Sequence, residues 1–429
     1  CAVAEPVVYI PGAEAPTVLL ITSDTHRADH LGVAGTNLVK TPALDALAAR
    51  GVRFTDCLTA TNVTNPSHIA LMTATHPRDT RVVDNHHPLA QSAPTLAEAF
   101  RQAGYATYAS ISARHLVEEE SGLGQGFDRM NSPAAHQRGA QITTHITSKW
   151  LDESAGLPLF IWLHLFDVHT PYTPPEGYDR RYYEQDKDPF SPQLPEPPFP
   201  PLLVSDTPLA GLRDPAFPQA QYRAEVDFLD DQLGALLAHE RFGDALIVFT
   251  ADHGDMRGEH HRQNKGIPLE ASAKVPFMIR YPKSISADRR VNQVLNTVDF
   301  LPSMLALMGV DTTGREEGRD CSGILTTGQH PKGWSDVTFL RSTGQPKDDR
   351  VGWLAAVTPR YKLILSSAEE PWLLDLKEDP DELTNFIRDP RHHEVAKSLA
   401  QDLVAYGKKF KDPYCSHPTV EAQLKTLAA

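Results

Sequence analysis

Thr64 has the residue type and the sequence setting of a nucleophile. It lies two residues before Pro66, and apolar residues with helical spacing follow at Ile69, Leu71 and Met72. Because proline is tolerated in the first turn of a helix, this pattern predicts a helix that starts beside Thr64. Free N–H groups and the helix dipole at such a start favour a negatively charged oxygen. The stretch fits an alkoxide that attacks a phosphate or sulfate ester, and it also fits an ordinary helix cap.

Acidic and imidazole side chains follow three predicted buried strands. Continuous apolar runs over residues 17–22, 157–166 and 245–251 are typical of strands buried on both faces of a parallel sheet. Ligands of open α/β sheets bind at the carboxyl ends of the strands. The side chains at these ends are Asp24, Asp167, His169, Asp252 and His253. Judged from the surrounding segment alone, Asp24 could equally be a helix-capping carboxylate.

Carboxylates, an imidazole and a hydroxyl together form a ligand set for a divalent cation. We predict one such site, holding Ca, Mn or Zn, formed by the following residues: Asp24, Thr64, Asp252 and His253. The cation would activate the threonine hydroxyl, which is otherwise a poor nucleophile at neutral pH. Lys265 would add a fixed positive charge for the anionic oxygens of an ester. A second metal site is left open, and it would need the following residues as ligands: Asp167, His169, His260 or His261.

Helical patterns alternate with the predicted strands. The helical segments are residues 41–51, 93–104, 219–240 and 299–309. This alternation predicts an α/β catalytic domain over residues 17–334, in which helices cover both faces of a mostly parallel sheet. From about residue 335 the pattern changes to short strands separated by turn residues and followed by a helix. We therefore predict a smaller C-terminal antiparallel α+β subdomain over residues 335–429.

Two segments lack periodicity. Residues 1–16 form a lead-in, and residues 171–218 hold thirteen of the 35 prolines. A structureless segment as long as 171–218 inside a compact domain is usually functional or mobile, so we predict a loop that covers the site, with a disordered linker as the alternative. The chain starts at Cys1, which fits either a lipid-anchored exported protein after removal of its signal peptide or an arbitrary chain boundary.

The composition excludes several classes of function. A net charge of −14 and a pI near 5.7 argue against nucleic-acid binding through bulk charge. The sequence has no run of 18 or more apolar residues, so it predicts no transmembrane segment. The four cysteines have no CxxC spacing, which argues against a thiolate zinc site. A small anionic ester is the predicted partner, and the oligomeric state cannot be read from the sequence.

Several stretches of the chain, in the right order, resemble the sulfatase family of the alkaline phosphatase superfamily. They are residues 17–32 (TVLLITSDTHRADHLG), 41–54 (TPALDALAARGVRF), 65–77 (NPSHIALMTATHP), 162–175, 249–261 (FTADHGDMRGEHH) and 265–280. Residues 372–385 (WLLDLKEDPDELTN) resemble the C-terminal signature of that family. The resemblance covers nearly the whole chain. It implies an alkaline phosphatase-like α/β fold and a metal-dependent ester hydrolase.

The resemblance also implies roles for individual residues. It implies metal ligands at Asp24, Asp252 and His253, and it puts Thr64 at the position of the nucleophile. It implies anion-binding and general acid/base roles for Lys265 and His169. His115 falls near the histidine of the family's KWHLG motif, although Ala113 replaces the lysine of that motif.

The chain departs from the family at the nucleophile. Sulfatases of the usual kind have Cys or Ser in C/S-x-P-S-R and oxidise it to formylglycine, whereas this chain reads TNPSH over residues 64–68. Oxidation of Thr64 would give a ketone rather than an aldehyde. His68 takes the place of the arginine, as a candidate for substrate binding, and Thr25 replaces the second Asp of the usual Asp-Asp pair.

These departures favour a plain hydroxyl nucleophile. The first hypothesis is a hydrolase of phosphodiesters or phosphonate monoesters that forms a covalent intermediate on Thr64. One metal with Lys265 and a histidine suits such a monoanionic ester. The second hypothesis is a sulfatase that works without formylglycine. The third is a binding protein on a degenerate hydrolase fold, which the joint presence of the candidate ligands and Lys265 disfavours.

Overall fold

The computed structural model describes residues 15–195, 209–311, 314, 316–343 and 352–429. Cys1 and all but the last two residues of the predicted lead-in lie outside this part of the chain. Export and lipid anchoring therefore stay predictions. Residues 196–208 of the predicted covering loop also lie outside it. Of the described helices, none is long and apolar enough to cross a membrane.

An eight-stranded sheet forms the centre of the larger body. In spatial order its strands are β10 (Arg289–Asn296), β2 (Val52–Leu58), β9 (Lys274–Arg280), β6 (Leu246–Thr250), β1 (Val18–Ser23), β5 (Leu159–Leu165), β3 (Ala106–Ile111) and β4 (Arg129–Asn131). Only β9 runs antiparallel to its neighbours β2 and β6. All other adjacent pairs are parallel. The predicted mostly parallel sheet is confirmed.

Helices cover both faces of this sheet, as predicted. They are α1 (Pro42–Ala49), α2 (Thr64–Thr73), α3 (Pro77–Thr80), α4 (Leu96–Gln102), α5 (Glu118–Ser121), α6 (Ala140–Glu153), α7 (Ala216–Leu237), α8 (Glu270–Ala273), α9 (Phe300–Met308) and α10 (Ser322–Thr327). Ile69 of α2 and Phe300 of α9 belong to the core on one face. Leu44 of α1 and Leu229 of α7 belong to the core on the other. Two short strands, β7 (Met256–Arg257) and β8 (Gln263–Asn264), pair outside the main sheet.

The strand register brings the chemistry-bearing residues to one edge of the sheet. Ser23 of β1 lies opposite Leu165 of β5, and Thr22 of β1 lies opposite Thr250 of β6. The three parallel strands therefore end side by side. The residues that follow them are Asp24, Asp167 and Asp252.

The C-terminal part forms the predicted antiparallel subdomain. Its strands are β11 (Thr338–Arg341), β12 (Trp353–Val357), β13 (Tyr361–Ser366) and β14 (Trp372–Asp375), and its helices are α11 (His393–Phe410) and α12 (Pro418–Ala428). The four strands pair antiparallel in chain order. Leu399 and Leu403 of α11 pack in one core with Leu363 and Leu365 of β13.

The sequence pattern did not predict α6, β10 or α12. The buried face of α6 includes Thr143, Thr144 and Thr147, so the helix has little apolar periodicity to detect. β10 lies at an edge of the sheet and has alternating polar and apolar residues only at its start. In the predicted covering loop, the described residues 171–195 form turns without a helix or strand.

A buried ion pair ties the two bodies together, and its removal should destabilise the protein. Lys362 of β13 is fully buried, and its Nζ lies 2.9 Å from Glu270 Oε1 of α8 and 2.7 Å from Glu382 Oε1. Lys362→Met leaves both carboxylates without this partner, so we expect a loss of about 3–5 kcal/mol in the free energy of unfolding, measured by chemical denaturation. Arg388→Met, which breaks an exposed pair with Glu370, should cause little change. Equal losses in the two variants would contradict the interpretation.

Candidate active site

Three buried side chains at the edge of the sheet could hold a metal ion. Asp24 follows β1, and Asp252 and His253 follow β6. One ligand atom from each of the three lies within 4.8 Å of the others. All three residues are at most 1% exposed, so the cluster lies in the protein interior. Two carboxylates and an imidazole match the ligand preference of a borderline or hard divalent cation.

The hydrogen-bond inventory of the two carboxylates supports a cation at this point. Both oxygens of Asp24 and Oδ2 of Asp252 have no hydrogen-bond partner among the described residues. Oδ1 of Asp252 accepts from the backbone N–H groups of Thr25 (3.1 Å) and His253 (2.8 Å). Buried carboxylate oxygens without partners are costly unless a positive charge compensates them. The three unpartnered oxygens therefore fit a divalent cation.

The ring of His253 is oriented for metal ligation. Its Nδ1 lies 2.9 Å from the carbonyl oxygen of Gly254, which can only accept, so Nδ1 carries the proton. The lone pair is then on Nε2, which lies 3.2 Å from Asp252 Oδ2. A backbone acceptor on the second ring nitrogen is the usual way in which proteins fix the tautomer of a ligating histidine.

The two carboxylates of the cluster differ in their affinity for a proton. Although burial opposes ionisation, His164, His169, Lys265 and His253 hold the pKa of Asp24 well below its usual range. Burial and the neighbouring Asp24 charge raise the pKa of Asp252 well above its usual range. Without a cation, the pair therefore holds one negative charge and one proton.

Thr64 opens α2 and points toward the cluster. Its Oγ1 lies 3.4 Å from Nε2 of His253. The next residue, Asn65, is held from two sides: its N–H donates to Asn85 Oδ1 (2.9 Å), and its Nδ2 donates to the carbonyl oxygen of His115 (2.8 Å). The predicted placement of a hydroxyl at a helix start beside the metal ligands thus agrees with the geometry. A role in catalysis stays a prediction.

His68 is placed differently from its predicted role. Its Nδ1 donates to the carbonyl oxygen of Thr64 (2.9 Å), and its Nε2 accepts from the hydroxyl of Thr22 (3.2 Å). Burial and the adjacent His164 lower the pKa of His68 to about 3, so the ring is neutral. With both ring nitrogens engaged by the protein, His68 has no free ring nitrogen for a substrate. The structure favours a positioning role at the start of α2 instead.

Lys265 and His169 form a pair beside the cluster. Nδ1 of His169 donates to the carbonyl oxygen of Thr170 (2.7 Å), so Nε2 accepts from Nζ of Lys265 at 3.0 Å. Burial and the Lys265 charge lower the pKa of His169 to about 4. A neutral His169 thus orients a charged Lys265.

His115 lies near the same site. Its Nε2 has no partner among the described residues, and its ring centroid lies 5.8 Å from that of Phe166. Burial lowers the pKa of His115 to about 4. The charge of Asp24 opposes this shift, and the charge of Lys265 adds to it. A catalytic role of His115 stays a prediction.

His164 and Thr25 are two further neighbours of the cluster, and of these only Thr25 stood out in the sequence. His164, inside the apolar run of β5, is fully buried, and its Nε2 lies 3.8 Å from Asp24 Oδ2. Neither ring nitrogen has a hydrogen-bond partner in the described part of the chain. The one sequence feature that could have indicated His164 is a single histidine within an otherwise apolar strand. Thr25 has φ of 57°, unusual for a β-branched residue, and its hydroxyl donates to the carbonyl oxygen of Val168 (2.6 Å). Its side chain is thus bound to the backbone.

The candidates for a second metal lie apart from the three-residue cluster. Oδ1 of Asp167 accepts from the N–H of Ala140 at the start of α6 (2.9 Å), and burial raises the pKa of Asp167 to about 6. His260 donates from Nε2 to the carbonyl oxygen of Asp381 (3.0 Å). Within the described residues, neither Asp167, His169, His260 nor His261 belongs to a group of ligands with the cluster. At this edge of the sheet, the described residues form one group of possible metal ligands.

Comparison with known families identifies the family of the chain. A family model described as "Sulfatase" matches residues 16–310, which is more than half of the chain. The chain belongs to the sulfatase family. A second model, described as "N-sulphoglucosamine sulphohydrolase, C-terminal", matches residues 258–409. The protein is therefore a sulfatase-family hydrolase that acts on an ester.

Relatives of this sulfatase-family chain differ in their activities. The uncharacterized sulfatase YidJ of Escherichia coli is 25% identical over 451 residues, covering 94% of this chain and 89% of the relative. The N-acetylglucosamine-6-O-sulfatase of Bacteroides thetaiotaomicron is 24% identical over 491 residues, covering 92% and 87%. The phosphonate monoester hydrolase of Agrobacterium radiobacter has the same fold, with a TM-score of 0.78, 24% identity and coverage of 92% and 96%.

Neutralising Asp252 should separate metal binding from folding. Asp252→Asn keeps the acceptor for the two backbone N–H groups, and the amide cannot ionise in either the folded or the unfolded state. We expect the metal-free variant to unfold at a higher temperature than the metal-free parent at pH 7, since the raised pKa of Asp252 costs stability there. This gain in stability should vanish as the pH falls toward the ordinary carboxyl pKa, because Asp252 of the parent is then protonated in both the folded and the unfolded state.

The same Asp252→Asn variant should lose bound divalent metal, measured by elemental analysis after dialysis. Asp152→Asn, an exposed carboxylate on α6, is the matched control and should change neither property. Full metal content in Asp252→Asn would exclude this cluster as the metal site.

Proposed function

We propose that this chain hydrolyses a monoanionic phosphoric ester, a phosphodiester or a phosphonate monoester, with Thr64 as nucleophile. The observation that carries the proposal is the hydroxyl of Thr64, 3.4 Å from Nε2 of His253 beside the carboxylates of Asp24 and Asp252. A single cation site and one lysine offer limited positive charge. This amount suits an ester with one negative charge better than a dianionic monoester.

Asp24, Asp252 and His253 are proposed to hold a divalent cation. Such a cation, when bound, stabilises an alkoxide and offsets the charge of the transferred group. The unpartnered oxygens of Asp24 and Asp252 and the free lone pair of His253 support this assignment. The donor set suits Ca, Mn or Zn.

The proposed reaction has two steps on Thr64. First, Thr64 loses its hydroxyl proton to solvent, and Oγ1 bonds to phosphorus as the bond from phosphorus to the leaving oxygen breaks. Lys265, held by neutral His169, gives its proton to the leaving oxygen and binds the anionic oxygens beforehand. In the second step the oxygen of a water molecule bonds to phosphorus as the bond from phosphorus to Oγ1 breaks. One proton of this water goes to Oγ1 and the other to the amino group of Lys265, which leaves a dianionic product and restores both side chains. A threonine ester has no aldehyde hydrate to collapse, so release by water is required.

Removal of the Thr64 hydroxyl should abolish turnover. Thr64→Val is nearly isosteric, and we expect kcat on an aryl phosphonate monoester to fall by about 10³-fold or more, because the covalent step is lost. Thr64→Ser should retain activity and should form an adduct on residue 64 that intact-mass analysis detects after a rapid quench. Thr73→Val, at the other end of α2, should stay near the parental rate. Unchanged kcat in Thr64→Val would remove Thr64 from the mechanism.

A sulfatase without formylglycine is the second candidate. The observation that favours it is family membership, together with relatives named as sulfatases. Both ester classes should be assayed on the metal-loaded protein with the same aryl leaving group. We expect kcat/KM for the phosphonate monoester and the phosphodiester to exceed that for the sulfate ester. A preference for sulfate by orders of magnitude would replace the first proposal with the second.

A further inference from the structure

The turn that holds Lys265 has an unusual backbone. Lys265 follows β8, and its neighbours Asn264 and Gly266 have φ of 66° and 109°. Positive φ at a non-glycine residue is uncommon, so this turn needs support from its surroundings. Its position matters because Nζ of Lys265 reaches Nε2 of His169 at 3.0 Å.

Two side chains hold the carbonyl groups directly after Lys265. Nε1 of Trp353 donates to the carbonyl oxygen of Gly266 at 2.8 Å. Nδ2 of Asn62 donates to the carbonyl oxygen of Ile267 at 2.5 Å. The same Nδ2 lies 2.9 Å from Oγ of Ser272, which fixes the amide in place.

These two side chains come from different parts of the chain. Asn62 is buried two residues before Thr64, so it links the nucleophile segment to the lysine turn. Trp353 is the first residue of β12 in the C-terminal subdomain and is 6% exposed. Its ring belongs to a small core with Leu58 of β2 and Val294 of β10. The indole is therefore fixed against the main sheet while its N–H supports the turn.

We propose that Trp353 is a positioning residue for Lys265. Through its indole N–H, the C-terminal subdomain holds the lysine amino group against His169, and it thereby completes the anion-binding part of the site. This inference rests on the proposed function, in which Lys265 binds the ester and protonates the leaving group. It gives the smaller subdomain a role in turnover although none of its residues joins the metal cluster.

A double-mutant cycle on the metal-loaded full chain tests this role. Trp353→Phe keeps a large aromatic ring and removes the N–H. We expect kcat/KM on an aryl phosphonate monoester to fall about 10-fold or more, as misplacement of a catalytic group does. In a Lys265→Met background the same change should cause little further loss, because both substitutions act on one group. Trp353→His, which keeps a ring N–H, should recover part of the lost rate.

Trp334→Phe is the matched control. Nε1 of Trp334 has no hydrogen-bond partner among the described residues, and its ring packs against the guanidinium of Arg319 at 4.1 Å. Loss of this N–H should leave turnover unchanged. Binding of inorganic phosphate, measured by calorimetry, provides a readout besides activity, and it should weaken in Trp353→Phe and Lys265→Met but not in the control.

The outcomes separate the inference from the proposed function. The role of Trp353 would be overturned if Trp353→Phe kept the parental turnover and phosphate binding. It would also be overturned if the losses in kcat/KM from Trp353→Phe and Lys265→Met added in full in the double variant. Parental turnover in Lys265→Met would instead refute the proposed role of the lysine. If Trp353→Phe folds poorly, Trp353→His, which retains a ring N–H donor, is compared with Lys265→Met instead. Phosphate binding by Trp353→His that is no tighter than that by Lys265→Met would then count against the inference.

Discussion

The burial of two carboxylates side by side is the constraint on which the site depends. The parallel strands β1 and β6 end together, so Asp24 and Asp252 meet in the interior with three oxygens unpartnered. Removing such charges from water costs several kcal/mol per ion unless they are compensated. Histidines, a lysine and two backbone N–H groups offset part of this cost. A divalent cation is the compensation that the remaining oxygens fit, and the rigid sheet keeps them in place for it.

Side chains at the start of α2 hold the backbone beside the carboxylate cluster. Thr64 faces the cluster, while Asn65 and His68 use their polar atoms to hold the backbone around it. The position that carries an arginine in the usual family motif thus carries a side chain that is satisfied inside the protein. In the proposed function, the positive charge for an anionic ester comes from Lys265, which lies beside a neutral His169.

The C-terminal subdomain is bound to the larger body through buried polar contacts. Lys362 pairs with Glu270 across the junction, and Trp353 reaches the turn after Lys265. Contacts of this kind fix the relative position of two elements more narrowly than apolar packing does, because a hydrogen bond or ion pair loses its energy with small displacements. The subdomain is therefore placed to influence the geometry of a site to which it supplies no metal ligand.

The sequence by itself determined the fold class and named most of the residues that the structure brings together at the candidate site. Apolar runs that end in polar residues identified β1, β5 and β6 with their carboxyl ends, because buried parallel strands leave a strong pattern. The helix α6 escaped detection, since its buried face is lined by threonines. Only the tertiary structure decided that His164 lies near Asp24 and that both ring nitrogens of His68 form hydrogen bonds inside the protein. It also decided that Asp167 caps α6 rather than joining the candidate metal ligands. These facts depend on side-chain direction and on contacts between residues distant in the chain, and neither leaves a periodic signal in the sequence.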